Sequence, residues 1–225
     1  MFKLRLLLLS MAMLFTANVM AQDKEEIPTP ESIQKLKLAS ELAVYGYQNN
    51  SVLALIQAAD LYLSTSMMDL QTENVEKEEG KKTSKKETVS FDVAKILKDA
   101  RELAALEDNE AAYLTLIANL EKKAQDLTRS PTLGTQRLYD RVQAYSKNTY
   151  TVGLRGGERT YIEVYGDGDT DLDLFVYDAN GNFVVSDTRY SPNAGIWLIP
   201  NYTSTYTIVV KNNGRVYNDF MLVAY

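Results

Sequence analysis

The chain of 225 residues contains neither histidine nor cysteine. That double absence excludes Ser/His/Asp and Cys/His nucleophilic catalysis, His- or Cys-ligated zinc, haem attachment and any disulfide framework. Positive charge is also in short supply, with 24 Lys and Arg against 30 Asp and Glu and a formal charge of -6. Phosphate recognition draws most of its affinity from clustered cations, so a nucleic-acid partner is not expected. At 45% hydrophobic content the length suits one large or two small domains, each able to bury a core.

The opening stretch carries Lys3 and Arg5, an apolar run from Leu6 to Phe15, and Val19 and Ala21 before Gln22. This reads as a signal peptide over residues 1–21, too short and wrongly flanked for a stable membrane span. An uncleaved anchor helix is the alternative. Without cysteine, lipid attachment of the bacterial lipoprotein kind is excluded. The mature protein is expected to be exported, periplasmic or secreted, and soluble. An exported chain that relies on packing alone favours a bacterial source.

Residues 30–127 read as a bundle of about four helices. Ile33, Leu36, Ala39, Ala43 and Tyr47 recur at steps of three and four, Asn49-Asn50 breaks the pattern, and Ser51 opens a second run. In that run Val52, Leu53, Leu55, Ile56, Ala59, Tyr62 and Leu63 leave little polar face, so it should be the most buried helix. A second pair is expected over Phe91–Glu107, capped by Ser90, and Asn109–Leu127, capped by Asp108. Small residues such as Ala43, Gly46, Ala58 and Ala59 would let helices approach closely, but no second copy of this pattern marks a repeat protein. Between the pairs a charged loop is expected over 71–89. Nine of the twelve residues in EKEEGKKTSKKE, 76–87, are charged, which makes a solvated loop, or alternatively a hook for a polyanion.

From Ser130-Pro131 the character changes to short runs rich in Tyr, Val, Ile and Thr, punctuated by turns such as Arg155-Gly156-Gly157-Glu158 and Asn212-Asn213-Gly214-Arg215. Eight strands are expected, beginning near Leu138 and closing at Tyr217–Ala224. The fold class is therefore a multidomain α plus β chain, an N-terminal all-α helical bundle followed over 131–225 by an all-β, jelly-roll-like sandwich.

The run D-T-D-L-D-L-x-V-Y-D-x-x-G-N at 169–182 and the closing N-x-G-x-V-Y-N at 212–218 resemble the bacterial pre-peptidase C-terminal domain. That family is a β-sandwich appended to secreted proteases and other exported proteins. The resemblance implies a non-catalytic accessory domain, some of whose relatives bind ligands and calcium. Nothing upstream resembles a peptidase, because the helical half supplies no catalytic constellation.

Asp167, Asp169, Asp171 and Asp173 alternate like calcium ligands, yet Leu172 stands where an EF-hand loop needs glycine. Leu172, Leu174 and Val176 share one strand face, which sends Asp171 and Asp173 to the other and leaves Asp167 and Asp169 in the preceding turn. A structural role, accepting loop N–H groups, and calcium in a differently built site both stand open. Acid/base hydrolysis is the third reading. No catalytic residue is assigned.

With Ile162 and Val164 also facing inward, Tyr161, Tyr165, Phe175, Tyr177 and Trp197 should face outward as a ligand-binding set. Burial under the helices or on the second sheet's side is the alternative. Three functions follow. The first is an accessory protein whose helical bundle binds a protein partner while the sandwich contacts an envelope, matrix or substrate component. The second is a carbohydrate- or protein-fibre-binding module, marked by an exposed aromatic strip on the sandwich. The third is a carboxylate-dependent hydrolase, marked by two buried acids in one cleft. The first is the expected one.

Overall fold

A computed structural model describes residues 30–81, 83, 88–127 and 135–225. The signal segment over 1–21, Lys82, residues 84–87 of the charged stretch and the Ser130-Pro131 boundary lie outside the described residues.

The three-and-four spacing does form helices. α1 (Glu31–Gln48) buries Ile33, Leu36, Ala39, Ala43 and Tyr47, and α2 (Val52–Leu63) starts where the Ser51 hydroxyl accepts from the Ala54 N–H. α3 (Val93–Ala104) is capped by Asp92 rather than Ser90, whose hydroxyl instead accepts from the Asp92 N–H. α4 runs over Glu110–Leu127. α2 sits centrally, in contact with the other three helices. At Gly46 an added Cβ would fall 2.6 Å from Leu55 Cδ2, so only glycine admits this approach of α1 to α2. Polar pairs tie the layer across its helices. The Ser40 and Tyr62 hydroxyls meet at 2.9 Å, Tyr47 donates to Asp99 at 2.8 Å, and Arg101 holds both oxygens of Glu121 at 2.9 Å.

Two short strands follow α2, β1 (Met67–Asp69) and β2 (Thr72–Lys77). Eight more come after α4: β3 (Thr135–Val142), β4 (Lys147–Leu154), β5 (Thr160–Gly166), β6 (Leu172–Tyr177), β7 (Phe183–Asp187), β8 (Asn193–Leu198), β9 (Ser204–Asn212) and β10 (Asn218–Ala224). The first of these eight pairs with the last, β4 with β9, β5 with β8 and β6 with β7, all antiparallel. This nesting is the jelly-roll arrangement. It yields two facing sheets, β1-β3-β10-β5-β8 and β2-β4-β9-β6-β7.

Period-two alternation fills the space between the sheets. Ile162, Val164, Leu172, Leu174, Val176, Ile208, Val210 and Leu222 are all fully buried there. A second core lies on the other side of the first sheet, where Tyr165, Met221 and Val223 pack against Ile33, Leu36, Ala39 and the rest of the helical layer. The molecule is therefore three layers, helices over sheet over sheet.

Two features differ from the sequence reading. Residues 72–77, expected within a solvated loop, form β2 at the edge of the second sheet, paired with β4, and β1 adds to the first sheet parallel to β3. β2 is exposed at nearly every position, so the backbone ladder rather than side-chain burial holds it. Charges on such an edge also discourage further strands from pairing with it. The helical core, in turn, is completed by Tyr165, Met221 and Val223 from the outer face of the first sheet.

Candidate functional site

The two motif pieces that carried the family resemblance meet at one end of the sandwich. Asp167, fully buried, accepts from the Asp169 and Asp219 N–H groups at 3.2 and 2.7 Å. Asp171 accepts from the Ser191 N–H at 2.8 Å and from the Asn213 amide at 3.0 Å. The same Asn213 amide donates to Asp173 at 2.8 Å, and Lys211 stands 3.7 Å from that carboxylate. Asn218 closes the arrangement by donating to Thr170 and accepting from the Asp167 N–H. Gly214 lies so close to Thr170 that a Cβ would come within 2.2 Å of its side chain. The aspartates thus fasten three loops by their N–H groups and amides.

Asp173 departs from the expectation of a solvated outward group. It does point away from the sandwich interior, but Asn213 and Lys211 cover it to 6% exposure. Among the described residues no set of three or more carboxylates converges as metal ligands. We expect melting temperatures in millimolar calcium and in chelator to agree within error, since Asp167, Asp171 and Asp173 already accept from backbone N–H groups or the Asn213 amide. A rise of several degrees with calcium, lost in Asp169→Asn, would overturn this.

The five aromatic residues expected to act together divide between opposite surfaces. Tyr161, Tyr165 and Trp197 face outward from the first sheet, Phe175 and Tyr177 from the second. The physical reason is simple. β5 and β6 lie in different sheets, so their inward residues meet in the middle while their outward residues point in opposite directions. Tyr165 is fully buried beneath α1, and its hydroxyl donates to Glu163. Tyr161 donates to the same carboxylate at 2.8 Å and stacks on Trp197 with ring centroids 4.5 Å apart. Burial pushes the Glu163 carboxyl above its usual range and the Tyr161 and Tyr165 hydroxyls well above theirs, the Glu163 charge adding to both. Nearby, Asp187 accepts from the Gly195 N–H and from Arg189, whose guanidinium holds that carboxyl down at about 2. These groups pair with one another and pin β7 to β8.

The outer face of the second sheet is different, because none of the described helices packs on it. Phe175 and Tyr177 lie half-exposed on it, and Phe183, unmarked by the sequence reading, adds a ring 60% exposed and 6.0 Å from Tyr177. In register beside them stand Val209 and Thr207 of β9, then Thr149 and Thr151 of β4. The middle of the face is uncharged, with Lys211, Lys147 and Glu76 toward its margins. Aromatic rings followed by hydroxyls on a flat sheet can stack on a ring-shaped ligand and hydrogen-bond its edge. The signal available in the sequence was the parity of Phe175 and Tyr177. Phe183 escaped it because the register shifts between Val176 and Tyr177.

Asp92 and Glu121, the acids lining a cavity between α2, α3, α4 and the β1–β3 edge, serve as the α3 cap and as the partner of Arg101, and neither is buried. No family model and no curated protein matches the chain. Similar solved structures include a periplasmic inhibitor of g-type lysozyme, PliG, from Aeromonas hydrophila, at 13% identity over 40% of this chain and 83% of that one, with a TM-score of 0.32. A second is the pre-peptidase C-terminal domain of Bacillus anthracis collagenase, at 10% identity over 40% and 89%, TM-score 0.35. A third is a carbohydrate-binding module from Cellvibrio mixtus lichenase 5A in complex with cellotriose, at 14% identity over 42% and 88%, TM-score 0.28. At these values function has to be read from the chain's own geometry. No described helix is long and apolar enough to cross a membrane.

Proposed function

We propose that the protein is an exported, non-catalytic binding module that holds a neutral glycan strand of an envelope or extracellular polymer against the outer face of its second sheet. The observation that supports this is the unequal treatment of the two sheets. Helices cover the outer face of the first and bury Tyr165, while the second displays Phe175, Tyr177 and Phe183 beside the hydroxyls of Thr207, Thr149 and Thr151. Sugar rings present apolar faces and hydroxyl edges, which complements such a row. Export rests on the leader-like residues Lys3, Arg5 and Leu6–Phe15. The absence of histidine and cysteine removes the common nucleophile–base pairs, and the acids described in the helical cavity, Asp92 and Glu121, are each engaged, which favours binding over hydrolysis. A protein partner for the helical bundle gains less support, because the apolar stripes of α1 and α2 are spent on the first sheet and on each other.

The test is retention on insoluble polysaccharides, including peptidoglycan, cellulose and chitin. The double variant Phe175→Ala, Tyr177→Ala is expected to lose at least tenfold in affinity, with stacking worth about 1 kcal/mol or more per ring. Its melting temperature should move little, because both rings are half-exposed. Retention on collagen fibres but on no polysaccharide would transfer the reading to a fibre-binding module. Retention unchanged by the double substitution would sink it.

A further inference from the structure

A cavity of about 560 Å³ opens between α2, α3, α4 and the first sheet's edge at β1 and β3. Its size falls within the range of sites for small organic ligands. One part of its wall is apolar, formed by Leu63, Met67, Val93, Leu97 and Leu127. The other part is ionic, with Asp92, Lys98, Arg101, Glu121 and Arg137. Arg101 is taken up by Glu121 in a two-point pair, Lys98 reaches Glu102 at 3.8 Å, and Asp92 caps α3.

That leaves Arg137. Its Nε is buried and, among the described residues, has no hydrogen-bond partner. The carboxylate of Asp69, 86% exposed, stands 3.9 Å from that Nε, which is an ion pair but beyond hydrogen-bond reach. One of its terminal nitrogens finds only the sulfur of Met67, at 3.9 Å, and its guanidinium stands 5.2 Å from the centre of the Tyr139 ring. The side chain as a whole is 25% exposed, so its terminal nitrogens rather than the sealed Nε are what a ligand can reach, and a carboxylate is the group whose geometry matches them. β1 sets this up. Met67–Asp69 pairs with Thr135–Arg137 in parallel register, holding the Arg137 backbone at the cavity's end and leaving its side chain on the wall.

We infer that this cavity is a binding site for an apolar monocarboxylate of the fatty-acid type, with Arg137 receiving the carboxylate and the leucine-rich wall receiving the hydrocarbon. The site is separate from the outer face of the second sheet, and neither reading depends on the other. The occupant is fixed by charge complementarity. Arg137 has only the Met67 sulfur and the exposed Asp69, 3.9 Å away, as partners, a neutral alkane would leave it so, and the acids of the wall are already engaged, Asp92 by the Lys95 N–H and Glu121 by Arg101.

The experiment is calorimetric titration of the full chain with decanoate, with 1-decanol and with decyltrimethylammonium, all below their aggregation concentrations. Saturable one-to-one binding of decanoate, at least tenfold tighter than 1-decanol, and no binding of the cation is the result expected. Arg137→Gln should weaken decanoate at least tenfold and change 1-decanol less than threefold. Ala124→Trp, which places a large ring in the cavity from half-buried α4, should abolish binding of both. Should Arg137→Gln fail to fold, judged by circular dichroism, the wild-type preference for decanoate and the Ala124→Trp loss carry the test. No saturable decanoate binding, equal affinity for alcohol and acid, or decanoate binding that survives Ala124→Trp would each overturn the inference.

Discussion

A fragment of residues 135–225 is expected to fail as a stable monomer, although it contains all eight strands of the jelly roll. Removing the helices strips the cover from Tyr165, Met221 and Val223, each essentially inaccessible in the intact chain, and from the partly buried Tyr139 and Tyr161. Burial of a large apolar side chain is worth about 1.5 to 3 kcal/mol, so three fully buried ones alone approach the 5 to 15 kcal/mol that holds a typical domain together. The cut also removes β1 and β2, which close the same side of the two sheets by pairing with β3 and β4. Exposed β3 and β4 edges beside an uncovered apolar face would favour self-association. Size-exclusion chromatography and thermal melting measure the outcome. A monomeric fragment melting within a few degrees of the full chain would show that the shared core contributes little.

Leu174→Ala should destabilise the full chain by roughly 2 to 5 kcal/mol, the range for emptying a well-packed leucine site. Leu174 is fully buried at the centre of the sandwich, flanked in register by Val210 of β9 and Asp187 of β7, and it sits among Leu172, Val176 and Ile208. A jelly roll wraps its strands around this one layer, so a void there is shared by both sheets and collapses poorly. The neighbouring Asp173→Asn provides the contrast. It keeps an acceptor for the Asn213 amide but loses the charge facing Lys211, which is half-exposed, so a loss of about 1 kcal/mol is expected. Denaturant unfolding of the two variants separates the cases. Equal losses would mean that Asp173 is as deeply structural as the leucine beside it.

Much of this molecule was legible from local pattern. The three-and-four spacing of Ile33, Leu36, Ala39 and Ala43 and the alternation of Leu172, Leu174 and Val176 each record which side of an element is apolar, and those sides are buried. Turn residues such as Arg155-Gly156-Gly157-Glu158 and Asn213-Gly214-Arg215 separate β4 from β5 and β9 from β10, and the absence of histidine and cysteine excluded whole reaction classes. β1 and β2 were not legible. Thr72–Lys77 carries a single aliphatic residue, Val75, and becomes a strand because β4 offers it a free edge of N–H and C=O groups, which no local pattern encodes.

The division of the aromatic set has the same origin. Tyr165 and Phe175 obey the same outward parity, yet one is buried under α1 and the other lies half-exposed, because parity is defined within a strand and the sheet a strand joins is defined by partners tens of residues away. The aspartate run could be read as entering a strand, but Asn213 and Asn218, which occupy Asp171, Asp173 and the Asp167 N–H, arrive from the far end of the chain. Sequence periodicity thus determined the elements, their inner faces and the chemistry left out. Only the tertiary structure decided what lies against each outer face, since that depends on contacts between segments whose separation along the chain carries no periodic signal.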